Sequence, residues 1–424
     1  MWLKKRKYLI YILSGIIFAG IACLVVSFPG NREETITVWT NNVHIVSYGE
    51  VFNSENPKSK IIVQYKEDVA DSLLTPGGSS LPDIAIAPWI KSSDVRKKFQ
   101  PWGSIFNSQN FREDSFYPQL LNLGKIDGRQ FFLPVSFNMP LIAYKKGDIH
   151  YDSTMDIDDI REMSKNPEET SKAPHMAFGP TWSGDFLYNI AKLHGANFAE
   201  DDKSLSYDED SVARTVEFIK RWSKEINDSV AKEDDFKFKY FFTNAETLLL
   251  ENRVRFLYER SDTLLPTISE VSRNSDKSQV PQIGFSWIGS DDKTVICDDT
   301  VFAGILKNTK NKSLCKKFIK WLLNNETQKK LLARQSDFNL FDNNFGFAGG
   351  FSSLPEVNRK VLTVFFPIIL DRLPEVSKLY EPFILPHNWD DIKSEVIIPY
   401  LEDSVRENTG KSIETRYQEF LANH

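Results

Sequence analysis

The chain has few residues of the kinds that build covalent cross-links and metal centres. Only three cysteines occur in 424 residues, so no disulfide framework holds the fold together. The separation of Cys297 and Cys315 gives no reason to expect a bond between them. Six histidines are scattered along the chain without the spacing of metal ligands. The sequence therefore predicts no metal site and no cofactor.

Motifs of catalysis are also lacking. The chain has no G-x-S-x-G elbow, no G-x-x-x-x-G-K-[ST] loop and no cysteine–histidine arrangement. Adjacent acids such as Asp201-Asp202 and Asp390-Asp391 are numerous, but neighbours in sequence usually point apart on a solvated surface. A glycosidase needs two acids from separate elements facing one sugar bond. We therefore predict that the protein is not an enzyme.

Basic charge is not in excess. The chain carries 52 basic and 58 acidic side chains, a net charge of −6 at neutral pH. Four of the basic residues precede the one long apolar run, so the remainder is more acidic still. Such a charge balance makes nucleic acid an improbable partner.

An uncharged run from Tyr8 to Phe28 follows the basic cluster Lys4–Lys7. A helix of this length reaches roughly 30 Å and spans a bilayer, and the basic cluster holds its first end in the cytoplasm. Three alternatives remain: a retained transmembrane anchor, cleavage with lipidation on Cys23, or soluble release. In all three, the rest of the chain works outside the cytoplasm, in a periplasm or on the outer face of the membrane, and two of them tether it there.

The length exceeds what one hydrophobic core normally serves, so two domains are expected. Short β-branched runs alternate with segments of helical period, which indicates an α/β fold. Val212, Ile219 and Trp222 share one face of such a helix, and Pro399 should kink another over Asp390–Val405. The predicted strands are Thr35–Trp39, Ile61–Tyr65, Ile84–Ala87, Leu141–Tyr144, Val254–Tyr258, Ile283–Trp287 and Val301–Leu306.

Several blocks follow one another in an order that resembles the family 1 extracellular solute-binding proteins, the sugar-binding components of ABC importers. Pro82-Asp83-Ile84 stands for the family's "PDI" strand, Gly128–Pro134 for its "G-x-x-Y-x-L-P" segment, and Leu141–Lys145 for its strand ending in "YN". A phenylalanine replaces the usual tyrosine, and Lys145 the usual asparagine. Phe242–Glu246 resembles the "F-x-x-G-x-A-M" block without its glycine and methionine. The resemblance extends from Thr35 to the C-terminus.

This resemblance implies a two-lobe, periplasmic-binding-protein-like fold with hinge-crossing strands, preceded by the hydrophobic anchor. We place the anchor in 1–33, the first lobe in 34–137 plus 288–328, and the second lobe in 138–287 plus 329–424. The crossings are expected near Phe137–Met139, Ser286–Ile288 and Glu326–Ala333. The implied function is capture of a carbohydrate or similar polar solute by a monomer, for delivery to ABC permease subunits in the membrane. The alternative is an envelope protein that keeps this fold for a structural or sensory role.

Candidate ligand contacts of the first lobe follow strand ends, where ligands meet open α/β sheets. Sugars need aromatic plates for their CH faces and polar side chains for their hydroxyls. Trp39, Asn41, Asn42 and Trp89 supply both. The competing interpretations are that Trp39 ends a core strand, that Asn42 caps a helix, and that Trp89 is buried under one.

The hinge and the second lobe supply the other candidates. Asn138 faces the cleft if the first crossing is placed correctly, and otherwise bonds a turn. Trp182 and Asp185 lie at a helix start, where packing and capping are the alternatives. Glu259 and Arg260 either pair with each other or grip the solute, and a cleft-facing Arg260 would suit an acidic or phosphorylated ligand. The full set of second-lobe and hinge candidates is Asn138, Trp182, Asp185, Tyr258, Glu259, Arg260 and Asp299.

Overall fold

The computed structural model describes residues 34–424 except 79, 108–110, 148, 150–152, 166–174, 202–203, 275–282, 339–343 and 409. The predicted anchor and Cys23 lie outside the described residues. Within them, no helix combines the length and apolar character needed to cross a bilayer. Cys297 and Cys315 are both buried, and neither forms a disulfide.

Seven strands form the first sheet, in the order β16-β7-β15-β3-β1-β2 with β4 paired to β15. The pairs β1–β2 and β1–β3 are parallel, whereas β15 runs antiparallel to β3 and β7. Residues of β3 and β7 are buried throughout, as expected for strands covered on both faces. The strands are β1 Glu34–Thr40, β2 Ser59–Tyr65, β3 Ile84–Ala87, β4 Phe99–Gln100, β7 Phe132–Phe137, β15 Val301–Leu306 and β16 Phe351–Ser352.

Five strands form the second sheet, in the order β12-β8-β13-β14 with β9 paired to β13. Its central strand pairs, β12–β8 and β13–β8, are antiparallel. The strands are β8 Pro140–Lys145, β9 Thr154–Asp156, β12 Phe256–Arg260, β13 Ile283–Ser290 and β14 Lys293–Thr294. Two hairpins lie outside both sheets, β5 Lys125–Ile126 with β6 Arg129–Gln130 and β10 Ala199–Asp201 with β11 Ser204–Ser206. We call the body around each sheet the first and the second lobe.

Helices cover the faces of both sheets. Up to the middle of the chain they are α1 Val43–Glu55, α2 Val69–Leu74, α3 Ser93–Arg96, α4 Pro118–Leu123, α5 Ile157–Met163, α6 Gly184–Leu193, α7 Glu209–Ile226, α8 Val230–Lys239, α9 Ala245–Leu250 and α10 Ser261–Asn274. The remainder are α11 Lys312–Leu322, α12 Asn325–Asp337, α13 Pro355–Val357, α14 Thr363–Phe365, α15 Trp389–Ile392, α16 Ile398–Val405 and α17 Ile413–Asn423.

Apolar periodicity places these helices correctly. Val212, Ile219 and Trp222 of α7 are buried, as their spacing predicts. The helix predicted over Asp390–Val405 is found in three parts: a π-helical segment, Lys393–Ile397, separates α15 from α16, and Pro399 stands in the first turn of α16.

All seven strands predicted from the sequence are present. Ile84–Ala87 and Val301–Leu306 have the predicted bounds, and the other five differ by a few residues at their ends. Strand β7, within the block resembling "G-x-x-Y-x-L-P", was not predicted as a strand. Beyond α12, Phe345, Phe347 and Phe351 are buried and belong to the core. The predicted α/β architecture of two packed bodies is therefore confirmed.

Candidate functional site

Two adjacent connectors join the sheets. The first is the turn between β7 and β8 at Asn138 and Met139, where the sequence places the first crossing. The second runs from Val295 to Thr300, between β14 and β15. The Cys297 N–H donates to the Asn138 carbonyl over 2.8 Å, so the connectors lie side by side. Bending at such a point changes few contacts inside either lobe, which is the property of a hinge.

The other two predicted crossings fall inside regular elements instead. Ser286 and Trp287 pair with β8 in the second sheet. Helix α12 stays with the first lobe, because Gln335 contacts His44 and Tyr48 of α1. After Ile369 the chain packs on the second sheet again, where Trp287 Nε1 donates to the Arg372 carbonyl over 2.9 Å.

Arg260 lies at the centre of a polar network beside the hinge. Its guanidinium donates to both carboxylate oxygens of Asp262, over 3.0 and 2.9 Å, and to Asp299 over 2.6 Å. Asn138 Nδ2 donates to the Gly349 carbonyl over 2.9 Å and approaches Asp262 at 3.3 Å. One alternative was an ion pair between Glu259 and Arg260, but the Arg260 guanidinium bonds Asp262 and Asp299 instead. Burial and the charges of Glu246 and Asp262 raise the pKa of the Glu259 carboxyl group.

The network retains unused hydrogen-bonding capacity. Asp299 Oδ1 is buried and has no partner among the described residues. The side chains of Arg260, Asp262 and Asp299 are 27%, 29% and 34% exposed, so solvent and solutes reach them. Because a buried unpaired carboxylate oxygen is costly, a hydroxyl donor would gain a strong acceptor in Asp299 Oδ1 once a movement of the lobes exposes that oxygen.

A second polar group lies on α6 of the second lobe. Asp185 forms an ion pair with Lys393 at 3.3 Å, and Asn189 donates to the Tyr258 hydroxyl over 2.9 Å. Burial raises the pKa of Tyr258 well above its ordinary value, so its hydroxyl stays protonated. Ser183 caps the helix by accepting from the Phe186 N–H.

Trp182 is packed rather than open. Its ring stacks on Phe236 at a centroid distance of 5.2 Å, and its Nε1 donates to the Glu233 carbonyl over 3.0 Å. One ring face and the indole N–H are therefore already engaged within the second lobe.

Some first-lobe candidates pack inside their lobe, and others lie where the two lobes meet beside the hinge, a region that we call the junction. Trp39 is 1% exposed and donates through Nε1 to Gln64 of the neighbouring strand, while Asn42 caps α1 and donates to the Ala348 carbonyl. Asn41, beside it, is half-buried. Trp89 instead reaches the other lobe, where its Nε1 donates to Asp390 over 3.1 Å. It holds φ at 63°, a left-handed conformation that side chains of this size rarely adopt.

The lobes also touch through a carboxylate. Both the backbone N–H and the hydroxyl of Ser93, at the start of α3, donate to Glu200 over 2.6 and 2.8 Å. Together with the Trp89–Asp390 bond, this contact draws the two lobes together beside the hinge.

Sequence reasoning thus found part of this junction. Asn138, Arg260 and Asp299 belong to one hydrogen-bond network. Asp185 and Tyr258 belong to a second one, because Asn189 donates to the Asp185 carbonyl and to the Tyr258 hydroxyl. It missed Asp262, Asn189, Lys393 and Asp390. The only signal for Asp390 was its place beside Trp389 in a conspicuous acid pair, which by itself indicates a solvated surface.

Comparison with known proteins agrees with this architecture. The family described as bacterial extracellular solute-binding protein matches residues 44–329. Among solved structures, the sugar-binding protein MalE of Xanthomonas citri is 15% identical, with a TM-score of 0.63 over 92% of this chain and 96% of that one. A sugar transporter of Rhizobium etli in an open conformation is 15% identical, with a TM-score of 0.62 over 92% and 98% of the two chains.

An ABC substrate-binding protein of Listeria monocytogenes, solved in complex with cycloalternan, is also 15% identical, with a TM-score of 0.60 over 92% of this chain and 98% of that one. Curated protein sequences give no match. At such identities these structures show a shared two-lobe fold, whereas the family match covers most of the chain. The chain belongs to the bacterial extracellular solute-binding protein family.

Proposed function

We propose that this solute-binding protein captures a carbohydrate or similar polar solute between its lobes and delivers it to ABC permease subunits in the membrane. The observation that carries the proposal is the network of Arg260, Asp262 and Asp299 beside the hinge, in which one carboxylate oxygen has no partner among the described residues. Fixed forks of donors and acceptors suit the hydroxyl pairs of a sugar ring. The sugar-binding neighbours of the same fold support this choice of solute class.

Individual roles follow from the contacts. Asp299 and Arg260 would bond solute hydroxyls, Asp185 would accept from a hydroxyl on the second-lobe side, and Trp89 would cover an apolar CH face. Asn138 would hold the hinge turn while offering its amide to the solute. Trp39, Asn42 and Trp182 have other partners, and we propose that they stabilise their own lobes rather than contact the solute.

The cellular setting follows from the family and the sequence. Members of an extracellular solute-binding family work outside the cytoplasm, and the apolar run Tyr8–Phe28 would tether the protein to the membrane, directly or through lipid on Cys23. We further propose that the chain acts as a monomer, uses no cofactor and performs no catalysis, because binding and release are sufficient for delivery.

Titration of the full-length protein tests the proposal. The chain has nine tryptophans, and Trp89 lies at the junction, so closure on a solute should change the intrinsic fluorescence saturably. Mono- and oligosaccharides, polyols and sugar phosphates form the panel, and a bound compound should also raise the melting temperature. If none of them changes fluorescence or melting, the proposal fails. Appearance of cleaved products in the same mixtures would show an enzyme instead.

A further inference from the structure

A cavity of about 250 Å³ lies in the second lobe, next to the proposed solute site. Aromatic side chains make up half of its lining: Phe178, Trp182, Phe236, Tyr240, Phe241 and Tyr258. Tyr258 connects cavity and site, because it precedes Arg260 by two positions on β12 and alternate residues of a strand share a face. Ser183 also lines the cavity, two residues before Asp185.

Four of the polar groups around this cavity already form a hydrogen bond within the protein. Trp182 donates to the Glu233 carbonyl, and Lys237 donates to the Trp182 carbonyl over 2.8 Å. The Tyr258 hydroxyl accepts from Asn189, and the Ser183 hydroxyl accepts from Phe186. A hydroxyl-rich ring in this cavity would lose water and find few partners beyond the donor protons of these two hydroxyls, which disfavours a sugar there.

Ring geometry leads to the same conclusion. Trp182 and Phe236 stack nearly parallel, at an interplanar angle of 15°, so each covers one face of the other. Tyr240 packs against Phe236 at 4.8 Å between centroids. The cavity therefore offers fewer open ring faces than its aromatic content suggests, and its walls also include aliphatic side chains such as Leu248.

The mouth of the cavity is apolar as well. Phe241 lines it, yet is 68% exposed, and Phe242 is 98% exposed and contacts Phe241 edge to face at 5.1 Å. Large aromatic side chains exposed together on a soluble body mark a place where an apolar group binds.

We propose that this cavity binds the apolar part of an amphiphilic solute, an aryl or short alkyl group whose polar head is held at the Arg260 network. The inference rests on the proposed function for the head, but the cavity itself makes a separate prediction. Because an apolar cavity of about 150 Å³ accommodates benzene, one of 250 Å³ has room for a larger group such as two fused rings.

Binding of 2-naphthol, a neutral probe without a sugar, tests the cavity in the full-length protein. Calorimetry should show one saturable site. Ala245 lines the cavity, so Ala245→Phe fills it and should weaken binding at least tenfold, while Ala213→Phe, which adds the same ring to the exposed side of α7, should leave binding unchanged.

A second pair of variants removes side chains instead and does not threaten the core. Phe241→Ala takes away one wall and should weaken 2-naphthol binding several-fold, whereas Phe238→Ala, at a residue 83% exposed that does not line the cavity, should not. Absence of saturable binding, or equal affinities within both pairs, would overturn the inference. So would displacement of 2-naphthol by an unsubstituted saccharide, which would make the cavity a sugar subsite. Saccharide titration of the same samples reports separately on the proposed function.

Discussion

The two lobes use their polar and aromatic side chains differently. In the first lobe, the aromatic and amide side chains at the end of β1 form their contacts inside the lobe. In the second lobe, the polar side chains at the end of β12 and at the start of α6 form hydrogen bonds and ion pairs where the two lobes meet. Trp39 is buried against Gln64, and Asn42 caps α1. Arg260, Asp262 and Asp299 remain about a third exposed. A strand end is thus a favourable place for a ligand contact but not a sufficient one, because a covering loop or helix can contact the same side chain.

The largest effect is expected where the first lobe uses an aromatic as core. Trp39→Ala should lower the free energy of unfolding by about 3–5 kcal/mol, because it removes a fully buried ring and leaves a cavity in its place. Solute affinity of the protein that remains folded should change little. Urea unfolding and saccharide titration measure the two quantities. Trp321→Ala, a half-buried tryptophan on α11 away from the junction, should cost less stability. A large loss of affinity at full stability would instead make Trp39 a ligand contact.

The next effect concerns Lys91, a first-lobe cation that is 6% exposed at the junction. Its ammonium lies 3.7 Å from the centroid of the Phe302 ring, and burial lowers its pKa to about 7, although the charge of Asp298 opposes this. The unfolded chain therefore binds more protons between pH 7 and about 10.5, so stability should rise with pH across that window.

Lys91→Met removes the buried amine and should remove this dependence. The variant should be more stable than the parent by about 2 kcal/mol or more at pH 6, where the parent holds a charged buried amine, and the difference should shrink towards pH 10. Lys97→Met, on the exposed surface of the same lobe, serves as the control. Chemical unfolding at pH 6 and pH 10 measures the free energy of unfolding of each protein. A pH-independent difference between Lys91→Met and the parent would contradict a lowered pKa of Lys91.

A smaller loss of stability but a clear loss of affinity is expected at Arg260. Arg260→Met removes the cation between Asp262 and Asp299 and should weaken saccharide binding at least tenfold, with a cost of about 1–2 kcal/mol in stability. Arg406→Met is a close match, because Arg406 has the same 27% side-chain exposure and bonds Asp234 twice, away from the hinge. It should lose similar stability and keep its affinity. If the two variants bind saccharide with equal affinity, the Arg260 network does not contact the solute.

The sequence predicted the fold well, because hydrophobic pattern determines strands and helices locally. Ile84–Ala87 and Val301–Leu306 are bounded by turn residues and have no competing period, so their ends were found. The hinge was harder. Strand β13 continues through Ser286–Ile288 because its partners β8 and β9 extend that far, and such pairing cannot be read from β13 alone.

The site was predicted less completely for a similar reason. Asn138, Arg260 and Asp299 were chosen by their places at strand ends, but their contact with one another depends on the hinge bringing three segments together. Asp390 and Lys393 reach the junction from the last quarter of the chain, more than a hundred residues from the elements they face. Residue type and local spacing carry no information on contacts of that range.

The smallest predicted effect concerns the contact that joins the lobes directly. Glu200→Ala removes the acceptor of two Ser93 hydrogen bonds, so the unliganded protein should open about the hinge, and its radius of gyration in solution scattering should rise. Stability should fall by less than about 1 kcal/mol, because water replaces both bonds at a half-buried site. Glu209→Ala, at the exposed start of α7, is the control.

The Glu200→Ala variant should also bind solute more weakly. If the unliganded protein is more open, part of the binding free energy of a solute is needed to close it, so affinity should weaken several-fold. Should the scattering curves of the two variants coincide, the Ser93–Glu200 contact does not hold the lobes together, and the Trp89–Asp390 bond becomes the contact to remove next.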